Sequence, residues 1–166
     1  MAKKVNVSTN APLRYRGVFD YDGLYAFMKN WCLKRKIRIF ESPFKWKASG
    51  PGMTEIEAFI KGETKLDEYQ KFEIEIMWKA VDMKFFHDEK SQKKMSQGRI
   101  HIQLSGTITS DYQNIFGKTP LSKTMGDIIN HVLKKDTTKN HLEHFRVELE
   151  DFHNEMRQFF HQDTVI

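Results

Sequence analysis

The sequence predicts an α+β fold, a two-layer sandwich in which helices cover one face of an antiparallel sheet of about four strands. Three segments alternate apolar and polar residues with period two, which is typical of antiparallel strands with one face in water. They are flanked by segments whose apolar residues recur every three or four positions, as in amphipathic helices. The predicted order is therefore α-β-β-β-β-α-α, with one N-terminal helix and two C-terminal helices on one face.

The length of 166 residues suits one ordinary domain. We expect residues 1–13 to form a flexible basic arm, 14–162 the domain and 163–166 a tail. The longest apolar stretch is only a few residues, and the N-terminal residues lack the apolar core of a signal peptide. One cysteine cannot form an internal disulfide. These features predict a soluble, cytoplasmic protein that has no membrane partner.

The first helix is predicted over residues 21–35, after a short strand over 14–19. Asp20 or Asp22 can cap its N-terminus, and basic residues follow its last turn. Its apolar residues form one stripe with the spacing of a helix buried on one side, namely Leu24, Phe27, Met28 and Trp31.

The four strands are predicted over residues 37–48, 54–61, 70–80 and 99–109. Pro43 lies inside the first of them, which indicates an edge strand or a bulge. The apolar parity changes after Ala80, so we expect a bulge near Val81 and Asp82. A polar loop over 88–98 joins the last two strands.

Two helices are predicted at the C-terminal end, over about 120–135 and 140–161. The second has an uninterrupted apolar stripe formed by Leu142, Phe145, Leu149, Phe152, Met156 and Phe159. A coiled-coil seam usually contains Leu or Ile, whereas three large rings are better suited to covering a broad sheet. We therefore expect this helix to dock on its own sheet.

The net charge of +5 is unevenly distributed along the chain. Residues 1–49 contain eleven Lys and Arg against three acidic residues, and residues 50–166 contain sixteen against nineteen. This asymmetry indicates an electrostatic partner, either nucleic acid or an acidic protein surface, or else complementary surfaces that join copies of the chain.

Cations alternate with aromatic residues in the basic third of the chain, a composition that suits contacts to phosphates and stacked bases. The candidate nucleic-acid-binding residues are Lys34, Arg35, Lys36, Arg38, Lys45, Trp46 and Lys47. The alternative is that Trp46 and Phe44 belong to the core and that the lysines lie on the solvated side of a strand.

Signatures of catalysis or cofactor binding are weak, and we predict no catalytic residue, no cofactor and no metal. His141, His144 and Glu148 have helical spacing that could hold a metal, but a solvated helix face explains them as well. Cys32 is predicted to be packed and inert. The carboxylates of Glu55, Glu57, Glu73 and Glu75 are predicted to form a solvated charge ladder with neighbouring lysines.

Several short motifs are spread along most of residues 15–160. They are Phe19-Asp20-Tyr21-Asp22-Gly23-Leu24-Tyr25, Trp31, Trp78, Asp82-Met83-Lys84, Gly98-Arg99-Ile100 and Asp111-Tyr112. In these motifs the chain resembles a group of small uncharacterised archaeal proteins. The resemblance implies that the whole chain is one domain, and it transfers no functional residues.

The favoured function is a non-enzymatic binding or assembly module that uses its sheet face, edge strand or last helix to join another macromolecule or a second copy. The alternatives are a nucleic-acid-binding protein that uses the basic N-terminal third, and a metal-dependent enzyme with its site on the last helix.

Overall fold

The computed structural model describes residues 3–8, 12–41, 44–113, 124–125, 128 and 135–162. In chain order the elements are β1 (Lys3–Ser8), β2 (Leu13–Phe19), α1 (Tyr21–Lys34), β3 (Arg38–Glu41), β4 (Lys45–Gly50), β5 (Met53–Lys65), β6 (Gln70–Asp88), β7 (Lys93–Ser110) and α2 (Lys135–Gln162).

The seven strands form one antiparallel sheet in the order β1–β7–β6–β5–β3. β2 pairs with β7 further along the edge occupied by β1, and β4 pairs with β5 further along the edge occupied by β3. The long hairpin of β6 and β7 lies at the centre. Its alternating residues put one row of apolar side chains on one face, and these are buried, from Phe72 to Ala80 on β6.

The predicted sheet of about four strands is wrong, since the described sheet has seven. The segment over 37–48 divides into β3 and β4 on either side of Pro43, which itself lies outside the described residues. The expected basic arm also contributes a strand, because residues 3–8 pair with β7 and Val7 is fully buried. Two valines among polar residues were too short a pattern to predict β1.

The structure gives bounds for two helices, not three. Most of the helix predicted over 120–135 falls outside the described residues, as does the tail over 163–166. Residues 124, 125 and 128, which are described, are helical. The helix predicted over 140–161 begins earlier, at Lys135. Neither described helix is long and apolar enough to cross a membrane.

The predicted bulge near Val81 and Asp82 is confirmed. The register between β6 and β7 shifts between Val81 and Lys84, and Asp82 adopts a left-handed conformation with φ of 55°. The loop predicted over 88–98 is shorter than expected, since β6 continues to Asp88 and β7 begins at Lys93. The hairpin therefore extends beyond the core.

The first helix forms as predicted. The side chain of Asp20 caps α1 by accepting a hydrogen bond from the backbone N–H of Gly23 at 2.7 Å. The α1 stripe faces the sheet, where the phenolic oxygen of Tyr21 accepts a hydrogen bond from Trp78 Nε1 at 2.9 Å. Lys29 on α1 also pairs with Glu41 on β3 at 2.7 Å.

The last helix docks on its own sheet and on α1, as its apolar stripe predicts. It approaches β7 so closely at Gly106 that a Cβ there would lie 2.8 Å from Leu149. Three ring stacks fix it, with centroid distances of 3.9 Å for Phe145 on Phe72, 4.2 Å for Phe152 on Trp31 and 4.6 Å for Phe160 on Tyr15. One face of the sheet is thereby covered by both helices.

Phe152 lies where α2 meets α1, and it is fully buried. We expect Phe152→Ala to lower the free energy of unfolding by about 3–5 kcal/mol, because it removes a stacked ring and leaves a cavity. Urea denaturation followed by circular dichroism measures the change. Val147→Ala on the exposed side of the same helix is the control and should change stability by less than about 0.5 kcal/mol. A wild-type melt for Phe152→Ala together with loss of an oligomer would show that the stripe is an interface instead.

Candidate functional site

The candidate site is the face of the sheet opposite the helices, which we call the open face. Its side chains come from the outward positions of the strands, and within the described residues no helix packs on it. It includes large apolar side chains in water, since Met77 is 53% exposed and Phe59 is 36% exposed.

Register brings two kinds of side chain into neighbouring rows across the open face. The first row crosses five strands and contains Arg14, His101, Lys79, Glu57 and Lys45, each opposite the next. Five strands span about 19 Å at a spacing of about 4.8 Å. We call this the cationic row, because four of its five members can bear a positive charge.

The second row consists of Gln103, Met77 and Phe59, which are also opposite one another. It lies two residues further along each strand, or about 7 Å from the cationic row. Lys45, Lys79, Met77 and Phe59 together line a groove of about 250 Å³ between the two rows. We call Met77 and Phe59 the apolar row.

The carboxylates in the centre of the open face are paired with lysines. Lys79 pairs with Glu55 at 2.7 Å and with Glu57 at 3.0 Å. Lys71 lies between the opposed carboxylates of Glu73 and Glu63, at 3.0 Å and 3.5 Å. The predicted solvated ladder is confirmed, because Lys61 likewise pairs with Glu75 at 2.9 Å.

The ion pairs favour the charged forms of both partners. A hydrogen bond from Lys79 lowers the pKa of Glu57, and a hydrogen bond to Glu75 raises the pKa of Lys61. Partial burial works to raise the pKa of Glu73, but hydrogen bonds from Lys71 and Thr109 outweigh it and leave that pKa below its ordinary value. These groups hold fixed charges at neutral pH.

Several cations on the open face form no ion pair with any described residue. Two lie on β2, three on the β3–β4 edge, one on β6 beyond the bulge, one on β1 and one on β5. They include Arg14, Arg16, Arg38, Lys45, Lys47, Lys84, Lys4 and Lys65. Both edges of the open face are therefore positively charged around a centre in which three lysines pair with five carboxylates.

The predicted nucleic-acid-binding residues are only partly brought together. Arg38, Lys45 and Lys47 lie on the open face, opposite Glu63, Glu57 and Glu55. Trp46 alternates to the other side of β4, where it is 54% exposed and stacks at 6.0 Å on Phe85.

The other three predicted residues, Lys34, Arg35 and Lys36, lie away from the open face, at the C-terminal end of α1. Lys34 and Lys36 are exposed there. Arg35 is already engaged, because its guanidinium stacks at 3.9 Å over Trp31 and pairs with Glu148 at 2.7 Å. It ties α1 to α2 and has a structural role.

The candidate metal ligands do not converge. Glu148 pairs with Arg35, the nearest His144 ring nitrogen is 3.6 Å from Glu148, and His141 Nδ1 lies 3.0 Å from the side-chain oxygen of buried Gln70. Among the described residues there is no group of three His, Cys, Asp or Glu side chains that could hold a metal.

Reasoning from the sequence missed the apolar row and did not include Arg99 and His101 on β7 among the candidate binding residues. Arg14 and Arg16 were counted only in the basic excess of residues 1–49. The alternation of these residues along their strands was visible, but the pairing that places β2 beside β7 was not. A strand read alone does not reveal which side chains will face those of its neighbours.

No protein family, no curated protein and no solved structure matches the chain. The resemblance to archaeal proteins stays a prediction, and the site stands on its geometry.

Cys32 is fully buried in α1, and this burial raises the pKa of its thiol to about 11. At about pH 8 only about one Cys32 thiol in a thousand is then ionised, and an alkylating reagent has no access to the buried sulfur. We expect iodoacetamide to leave the native protein unlabelled over a time in which it fully labels the protein in concentrated urea, as measured by intact mass. Equal labelling in both states would contradict the packed position.

Proposed function

We propose that the protein is a non-enzymatic binding module that takes a single-stranded nucleic acid on its open face. The observation that carries this proposal is the cationic row beside the apolar row. A strand that crosses the sheet can place its phosphates along the first row and stack its bases on the second.

The electrostatic part of the proposal rests on the unpaired cations at the two edges. Arg14 and Arg16 lie at one edge, and Arg38, Lys45 and Lys47 lie at the other, so a polyanion is attracted at both ends of its path. Each phosphate that such a cation neutralises releases counterions, which favours binding at low salt.

The stacking part rests on the exposure of Phe59 and Met77. An exposed aromatic ring on a solvated sheet face costs free energy that a stacked base recovers. The Nζ of Lys61 lies 5.7 Å from the Phe59 ring and Arg38 lies 4.9 Å from the ring of Phe40 on the same face, so further cations lie close to the exposed rings.

The titration behaviour favours binding over catalysis. A general acid or base works best when its pKa lies near the operating pH. On the open face the ion pairs move the pKa values of Glu57 and Glu73 downward and those of Lys61, Lys71 and Lys79 upward, away from neutrality.

The electrostatic contacts are tested with Arg38→Gln/Lys45→Gln/Lys47→Gln. We expect this variant to bind a labelled single-stranded oligonucleotide more weakly in fluorescence anisotropy. The slope of log affinity against log salt should fall by about 2, since each lost contact to a single strand removes about 0.7. The matched control is Lys34→Gln/Lys36→Gln/Lys90→Gln, which removes three exposed charges outside the open face. It should keep the wild-type affinity and the wild-type salt slope.

If the control variant loses affinity and the first variant does not, the basic end of α1 is the interface and the open face is not. Absence of binding to single-stranded DNA and RNA at low salt would refute the proposed function.

The stacking contact is tested with Phe59→Ala. It should weaken binding about 5- to 150-fold, which corresponds to about 1–3 kcal/mol for one stacked base. Phe86→Ala is the matched control, because Phe86 is 40% exposed on the outward side of β6 but lies nine residues from Met77, or about 30 Å. Heparin, a polyanion without bases, should bind both variants like the wild type. If Phe59→Ala binds the oligonucleotide normally, the ligand of the open face is an acidic surface and not a base-bearing strand.

A further inference from the structure

A second groove of about 430 Å³ lies on the open face where β2, β7 and β6 meet. It is lined by Val81 and by groups that can donate hydrogen bonds to an anion, which include Arg14, Arg16, Arg99 and His101. We call it the arginine cleft. Lys79, from the centre of the cationic row, also lines it.

The register of the cleft places two arginines against each other. Arg16 lies directly opposite Arg99, and Arg14 lies directly opposite His101. Side chains directly opposite on an antiparallel pair have Cβ atoms about 5 Å apart, and like charges at this distance destabilise the pair. An anion held between the two strands would remove this repulsion.

One of the arginines is held in place by the bulge in β6. Arg99 Nε donates a hydrogen bond to Asp82 at 3.0 Å, and the second guanidinium nitrogen contacts the same carboxylate. Asp82 reaches Arg99 because the bulge turns it out of the ladder with φ of 55°. This contact orients Arg99 and offsets about one positive charge, whereas Arg14 and Arg16 keep theirs.

We infer that the arginine cleft binds a phosphate monoester, and that it takes the terminal phosphate of a strand lying on the open face. A monoester bears close to two negative charges near neutral pH and an internal phosphodiester bears one, so the two uncompensated arginines match the monoester. The planar guanidinium is suited to bidentate contacts with phosphate oxygens. This inference rests on the proposed function for its ligand.

The experiment compares oligonucleotides of one sequence that end in a 5′-phosphate, a 3′-phosphate or hydroxyls only. We expect one phosphorylated form to bind the wild type at least about 10-fold more tightly than the hydroxyl form in fluorescence anisotropy. In Arg14→Gln/Arg16→Gln this ratio should fall to about 1. In the control Lys34→Gln/Lys36→Gln it should stay at the wild-type value. Arg14→Gln/Arg16→Gln should melt no lower than the wild type, because it removes repulsion and no described ion pair.

A ratio of about 1 in the wild type, or an undiminished ratio in Arg14→Gln/Arg16→Gln, would overturn the inference. If none of the oligonucleotides binds, the proposed function fails. Binding of phosphate by the cleft is then tested with inorganic phosphate alone. Melting temperatures are then compared in phosphate and in sodium chloride of equal ionic strength. A higher melting temperature in phosphate for the wild type, but not for Arg14→Gln/Arg16→Gln, supports a phosphate site. The absence of that difference overturns it.

Discussion

The constraint on which the rest of the structure depends is the two-residue alternation of the central β6–β7 hairpin. It puts Phe72, Ile74, Ile76 and Trp78 on one face, and the same register puts charged side chains on the other. Both helices must cover the apolar face, because that is where their own stripes lose contact with water. A one-residue slip of this hairpin would reverse both faces, so the buried side fixes the layout of the solvated side.

The alternation and the helical stripes were sufficient to predict the antiparallel sheet, the first helix, the last helix and the bulge at Val81–Asp82. The number of strands was not predictable in the same way. Edge strands such as β1 and β3 are short and bury few side chains, so their apolar patterns are weak even though Val7 is fully buried. Their positions depend on pairing with β7 and β5, which is tertiary information.

The candidate site shows the same division between local pattern and pairing. Charge counting along the chain identified the basic N-terminal third, and six of its cations reach the open face, namely Lys4, Arg14, Arg16, Arg38, Lys45 and Lys47. It could not separate Lys45, which faces outward beside Glu57, from Arg35, which is used between two helices. Arg99 lies in the part of the chain with more acidic than basic residues, yet register places it opposite Arg16. Local charge density and surface charge density are therefore different quantities in a sheet protein.

The charges at the two edges also bear on how copies of the chain meet. A sheet edge has unpaired backbone groups that can pair with another strand, and charged residues on edge strands oppose such pairing. Here β2 presents Arg14 and Arg16 at one edge, and β4 presents Lys45 and Lys47 at the other. Two copies that met along β2 or β4 would bring these cations close to each other. The charged side chains at the two edges thus work against extension of the sheet from one copy to the next.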